Sequence, residues 1–323
     1  MVSGLDRLQR RHPKVGLPIA VVYKYVDDSG GYLAALITYY AFVSLFPLLL
    51  VFTTVLGIVL TGHAGLQHDI EASALSQFPV IGDDLGQPRR IGGGTVGLVI
   101  GLLGAVYGGL GVAQATQYAM NTVWAVPRND RPNPLKARAL SLLMLATVGV
   151  AVLGTTALSA LGTSNVGSLG PLLRIALVAS AVAINTAVCL YVFRLAPARR
   201  LTHHDVLPGA LAAAVSWQLL QTFGVAYVGR VIRNASATNS VFAVVLGLLA
   251  FLYLTAVATI LCLEINAVRV DRLYPRALLT PFTDNVDLTT GDERAYTGQA
   301  QAQRAKGFED IDVTFHPDDT PDG

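Results

Sequence analysis

Charge is what this chain has least of. Of its 323 residues, 14% are Asp, Glu, Lys or Arg and 53% are hydrophobic, with a mean hydropathy of +0.52. A soluble domain carries about 25% charged residues. The deficit is uneven, because the charges gather in short segments separated by long, almost uncharged stretches. That pattern argues against a large water-soluble core and predicts membrane spans. The formal net charge of +2 gives no support for a nucleic-acid partner. Cysteine is also scarce. Cys189 and Cys262 both sit in apolar stretches, so they are read as small packing residues and a disulfide framework is not expected. The histidines outside the pair His203-His204 are scattered over His12, His63, His68 and His316. A metal site needs three or four convergent ligands, so no metal and no cofactor are expected. His203-His204-Asp205 reads instead as a polar loop entering a helix. The opening MVSGLDRLQRRHPK is followed by no hydrophobic run until about residue 32. It lacks the layout of a cleaved signal peptide, and the first span is expected to act as its own insertion signal.

What the chain has in abundance is long apolar runs. Six stretches, near 32–60, 95–124, 139–161, 172–193, 206–228 and 240–264, reach the roughly 20 residues that cross a bilayer core of about 30 Å. The predicted fold class is all-α, a polytopic membrane protein with six transmembrane helices. Pro47 removes a backbone donor inside the first span, so a kink is expected there. The Lys and Arg census orients the spans. Segments 1–31, 125–138, 194–205 and 269–323 hold 18 of the 23 basic residues. Positive charge marks the cytoplasmic side, which puts both termini inside. Three regions follow: a cytoplasmic segment 1–31, a six-helix domain 32–268 and a cytoplasmic tail 269–323. The stretch GLPIAVVYKYVDDSGG before the first span mixes apolar and charged residues, as an interfacial helix would. The loop 61–94 is long enough for one or two short helices. From 281 to 323 there are ten Asp and Glu against three Lys and Arg, so the tail is expected to be largely disordered.

Four motifs in order carry a resemblance. They are TYYAFVSLFPLLL at 38–50, GGLGVAQATQYAMNTVWAVPRNDRP at 108–132, LPGALAAAVSWQLLQ at 207–221 and LCLEINAVR at 261–269. Together they resemble the YihY/BrkB family of bacterial inner-membrane proteins, some of which once carried a ribonuclease label. Two departures stand out. Cys262 occupies a position where the family has Gly, and the stretch NSVFAVVLGLLAFLYL at 239–254 lacks the family's Tyr-Gly and downstream Trp. The resemblance covers about residues 15–275. It implies a six-helix inner-membrane protein linked with envelope integrity, and its YhjD-like branch is connected with lipopolysaccharide or lipid export. It supplies no reaction. No nucleophile with its base and no metal set is visible in the chain, so an enzyme is not expected and the ribonuclease label finds no support.

Polar side chains within apolar spans are costly, which makes them informative. Tyr40, Ser44 and Pro47 share one face of the first span. Tyr107, Gly111, Gln114, Gln117, Asn121 and Trp124 step by threes and fours along the second. Asn185 lies on the fourth, and Tyr253, Val257, Ile260 and Glu264 share a face of the sixth. The charge-derived orientation puts Tyr40, Ser44, Gln114, Gln117, Asn121, Asn185 and Glu264 from the inner half to the middle of the bundle. They are candidates for a polar cavity open toward the cytoplasm. The competing reading is that they only hydrogen-bond neighbouring helices. Glu264 is read as an edge residue paired with a nearby Arg or facing water, against a proton or headgroup role. The run GGGTVGLVIGLLG lacks the GK[ST] of a phosphate loop, and its small residues are expected to let helices approach closely. Two functions remain. One is movement of a lipid or another amphiphilic envelope component, with membrane lipids as partners. The other is a non-catalytic scaffold for envelope-assembly proteins.

Overall fold

The computed structural model describes residues 2–59, 94–163, 171–233, 240–278 and 286–315. Among these the chain is helical throughout. Two short helices come first, α1 (Val2–Arg11) and α2 (Leu17–Asp27). Six long ones follow: α3 (Gly30–Val59), α4 (Gly94–Val123), α5 (Pro134–Thr163), α6 (Pro171–Leu195), α7 (His203–Arg233) and α8 (Ser240–Asp271). A last short helix, α9, spans Thr290–Ala302. The long helices fall where the apolar runs predict them, and α3 continues through Pro47. By length and composition, Val245–Asp271 is apolar enough to cross a membrane, and Gly30–Leu45 and Ala179–Leu195 form shorter apolar stretches. The expected helices of loop 61–94 fall almost wholly outside the described residues.

The bundle is built around α3, α4 and α8. α3 packs along α4 and α8, and α7 lies between α6 and α8. The α3–α4 contact explains the first motif. Tyr40, Ser44 and Pro47 of α3 face Gly111, Gly108 and Gly104 of α4, where a Cβ at any of the three glycines would press on its partner. The glycines therefore admit the close approach expected of small residues. The core collects Leu33, Ala34, Met120, Val123, Trp124, Ile260, Leu263 and Ala267, all buried.

The helix ends that carry the basic segments meet at one end of the bundle, here called the polar end. α4 and α8 stop there in the same way. The Val126 N–H returns to the Asn121 carbonyl (2.8 Å) and the Leu273 N–H to the Val268 carbonyl (3.0 Å). The residues between, Ala125 (φ 48°) and Arg272 (φ 53°), take the left-handed conformation. This is the turn that ends many helices, with alanine and arginine where glycine is usual. At the start of α7 the Thr202 hydroxyl and N–H hold Asp205 (2.7 and 2.8 Å), as a polar loop entering a helix requires. These two bonds keep the Asp205 carboxyl below its ordinary range.

The tail departs from its expectation of disorder. α9 begins with a capping box in which Thr289 and Asp292 satisfy each other's backbone N–H groups. Asp292, fully buried, accepts from Arg276 Nε (2.6 Å) and the Ala277 N–H (2.8 Å). Arg276 also reaches Asp27 (2.9 Å), tying the tail to α2. Composition suggested a solvated acidic segment because it does not register that Asp292 meets a buried arginine and backbone donors. α2 forms as expected, and it buries Ala20, Val21 and Lys24 in a small core with Val268, Leu273 and Ala295.

Candidate functional site

The seven side chains expected to line one cavity do not meet. Tyr40 and Ser44 are engaged with the α4 glycines, and the Ser44 hydroxyl donates to the Ala41 carbonyl (2.9 Å). Gln114 is exposed on the outer face of α4, and Asn185 is half-buried on α6. Gln117 is buried and pins α5, donating to Ser141 Oγ (2.7 Å) and the Ala137 carbonyl (3.2 Å). The Asn121 carboxamide accepts the Ala198 N–H (2.8 Å), anchoring the loop after α6. These residues serve helix packing, as polar groups in apolar bundles commonly do. The expected cavity is therefore corrected to a set of separate pins. The helical spacing placed several of these groups on interior faces, and Ser44, Gln117 and Asn121 find partners on their own or the nearest helix or loop.

Glu264 behaves differently from the rest and from its edge reading. It is fully buried, and neither carboxyl oxygen receives a hydrogen bond from a donor. Its cationic neighbour is the Lys24 ammonium of α2 at 3.9 Å, not an arginine. Lys24 is itself buried, pairs with Asp28 one turn on, and donates to the Val123 carbonyl at the end of α4 (3.2 Å). Asp28 shares the Lys24 ammonium with Glu264 and receives the Gln299 amide of α9 (3.4 Å). Burial pushes the Asp28 carboxyl up, against the opposing pull of Lys24 and Gln299. Burial alone would lower the Lys24 ammonium, but Glu264 and Asp28 outweigh it and hold it above its ordinary value. Two residues on from Glu264, Asn266 is also buried. Its oxygen accepts the Gly209 N–H (2.8 Å) and its amide donates to the Val206 carbonyl (3.1 Å). Gly209 lies against the Cys262 carbonyl and Asn266, leaving no room for a Cβ. The third and fourth motifs thus form one helix crossing.

Beside this cluster a cavity of about 430 Å³ opens at the polar end. Lys24, Trp124, Val126, Arg199, Asp271, Leu273, Arg294 and Gln299 are among its walls. Arg199 grips both oxygens of Asp271 (2.9 and 2.6 Å) and lies over the Trp124 ring at 4.9 Å. The lining therefore combines apolar and aromatic residues with paired charges. α9 supplies much of the outer wall. Beyond it the Arg304 side chain donates to the Asn129 carboxamide (3.1 Å), joining the tail to the loop between α4 and α5. Among the described residues no three His, Cys, Asp or Glu side chains converge as a metal site. The Lys24–Asp28–Glu264 cluster was missed from sequence, because Lys24 lies outside every apolar run and nothing local links it to Glu264. Its presence in an otherwise apolar face of α2 was the available signal.

Comparison with known proteins gives one family. A family model described as "Virulence factor BrkB" matches residues 21–283. Among curated proteins, the chain is similar to "Inner membrane protein YhjD" of Escherichia coli (strain K12). The two are 24% identical over 287 residues, covering 81% of this chain and 83% of the relative. No solved structure matches.

Proposed function

The chain belongs to the BrkB family, and on that premise we propose that it is a six-span protein of the bacterial inner membrane, with both termini cytoplasmic, that moves or flips a lipid or another amphiphilic envelope component. The location follows the name of the Escherichia coli relative. The spans and their orientation rest on six helices of 25 to 32 residues and on the gathering of the basic segments at the polar end.

The observation that carries the amphiphile is the cavity at that end, whose walls combine Trp124, Val126 and Leu273 with the charged Arg199, Asp271 and Arg294. Such a lining suits a molecule with an apolar body and a charged head. The reading includes no catalytic step. Purified protein in liposomes, assayed for translocation of labelled lipids, tests it. Lipid movement above protein-free liposomes is expected, and no movement of any tested lipid would overturn it.

A specific observation favours a second reading. Gln117 and Asn121 are locked in helix contacts and α9 walls the cavity, as suits a rigid scaffold for envelope-assembly proteins. Specific co-purification of such proteins without lipid movement would select it.

A further inference from the structure

Two carboxyl groups and one ammonium share the buried space between α2, α8 and the corner before α3. Glu264 is fully buried, and the Lys24 and Asp28 side chains are each 3% exposed. If both acids were ionised, the cluster would carry a net negative charge in a site nearly closed to solvent. An uncompensated buried charge is costly enough that a group takes up a proton instead. The geometry agrees. Lys24 is committed to Asp28 and to the Val123 carbonyl, and no donor reaches either Glu264 oxygen. The Glu264 and Asp28 carboxyls nevertheless gather on one ammonium, Asp28 paired directly with Lys24 and Glu264 3.9 Å from it.

Among the described residues, Lys24 is the cation within ion-pair distance of Glu264. The groups bearing on Glu264 are Lys24, Asp28 and Asp27 of α2 and its corner, with the Tyr25–Tyr253 pair alongside. Asp27 is bridged to Arg276. From α3, α4 and α7 the neighbouring hydrophobic core contributes Leu33, Ala34, Met120, Val123, Val206 and Ala210.

We propose that Glu264 and Asp28 form a proton-binding site, with one proton held between them and Lys24 as the fixed counter-ion. The site has a route to solvent. Lys24 and Gln299 both line the 430 Å³ cavity, and Gln299 touches the outer oxygen of Asp28. Release runs from the Glu264 carboxyl to the Asp28 carboxylate and on to solvent in the cavity. It leaves two carboxylates beside one ammonium, and no electrons are exchanged. Under the transport reading, this is where a proton gradient would act.

The test is infrared spectroscopy of the full chain in lipid nanodiscs. The carbonyl stretch of a protonated carboxylic acid is followed across pH in wild type, Glu264→Gln and Asp28→Asn. Wild type is expected to show a protonated-acid band at neutral pH that Glu264→Gln lacks. Asp28→Asn leaves Lys24 free to pair with an ionised Glu264, so the band is expected to disappear there too. Both substitutions are close in shape to the protonated acids, and retained helical circular dichroism confirms folding. A wild type with no such band at neutral pH, or a band unchanged in Glu264→Gln, overturns the proposal. The measurement moves no lipid, so its failure and the failure of the transport reading are separate results.

Discussion

Asn266 shows how much one buried side chain can hold. It satisfies a donor and an acceptor at the start of α7, and each such bond contributes about 1 kcal/mol, more when its loss leaves a buried partner unmet. Asn266→Ala is therefore expected to lower stability by about 2–3 kcal/mol, read as the thermal unfolding midpoint in detergent. Ala125 offers the opposite sign. Its left-handed backbone costs a non-glycine residue about 1 kcal/mol, so Ala125→Gly is expected to stabilise by about that amount in the same assay. The acid cluster predicts a pH dependence. Burial raises the Asp28 carboxyl, and a proton held by the folded cluster is lost from the unfolded chain above the ordinary carboxylate range. The folded state then binds more protons than the unfolded one, so stability falls as pH rises, by up to about 1.4 kcal/mol per pH unit for one proton. Unfolding midpoints from about pH 5 to about pH 8 should decline in wild type and stay flatter in Glu264→Gln. Equal slopes would contradict the shared proton. The sequence singled out Glu264 as the acid well inside the last apolar run, yet it did not supply the partner. A lysine on a short helix before the first span meets it only because α2 folds back onto α8.

At the scale of elements, the long helices were legible because apolar length alone predicts them. The face Tyr40–Ser44–Pro47 was legible from helical periodicity, and its glycine partners on α4 from their smallness. What periodicity could not show is which polar groups meet, since Gln114 and Gln117 lie on one helix and only the second is buried. The tail was misread for a related reason. Its acids look solvated by composition, but α9 is held by Arg276 and Asp292 at zero exposure. Removing one partner of a buried pair costs about 3–5 kcal/mol. Here that cost falls on the docking of α9. Asp292→Ala is expected to raise hydrogen exchange across Thr290–Ala302 while leaving α3, α4 and α8 protected. Exchange unchanged in α9 would show that the ion pair is not what holds it. At the α3–α4 crossing, Gly108→Leu is expected to destabilise by about 1–3 kcal/mol through overpacking against Ser44, read by thermal unfolding.

For the whole molecule, the account depends on one orientation. In the proposed six-span arrangement, the side on which the basic segments lie decides whether the polar end, with its cavity and proposed proton site, faces the cytoplasm. Both native cysteines sit in the long helices α6 and α8, so replacing them with alanine gives a background for single reporters. Ser168→Cys tests the segment joining α5 to α6, and Lys306→Cys, exposed just beyond α9, tests the polar end. The decisive measurement is labelling by a membrane-impermeant maleimide in bacterial cells whose outer membrane has been permeabilised. The account predicts that Ser168→Cys is labelled with the inner membrane intact and that Lys306→Cys is labelled only after that membrane is opened. Labelling of Lys306→Cys with the inner membrane intact, or protection of Ser168→Cys until it is opened, would contradict it.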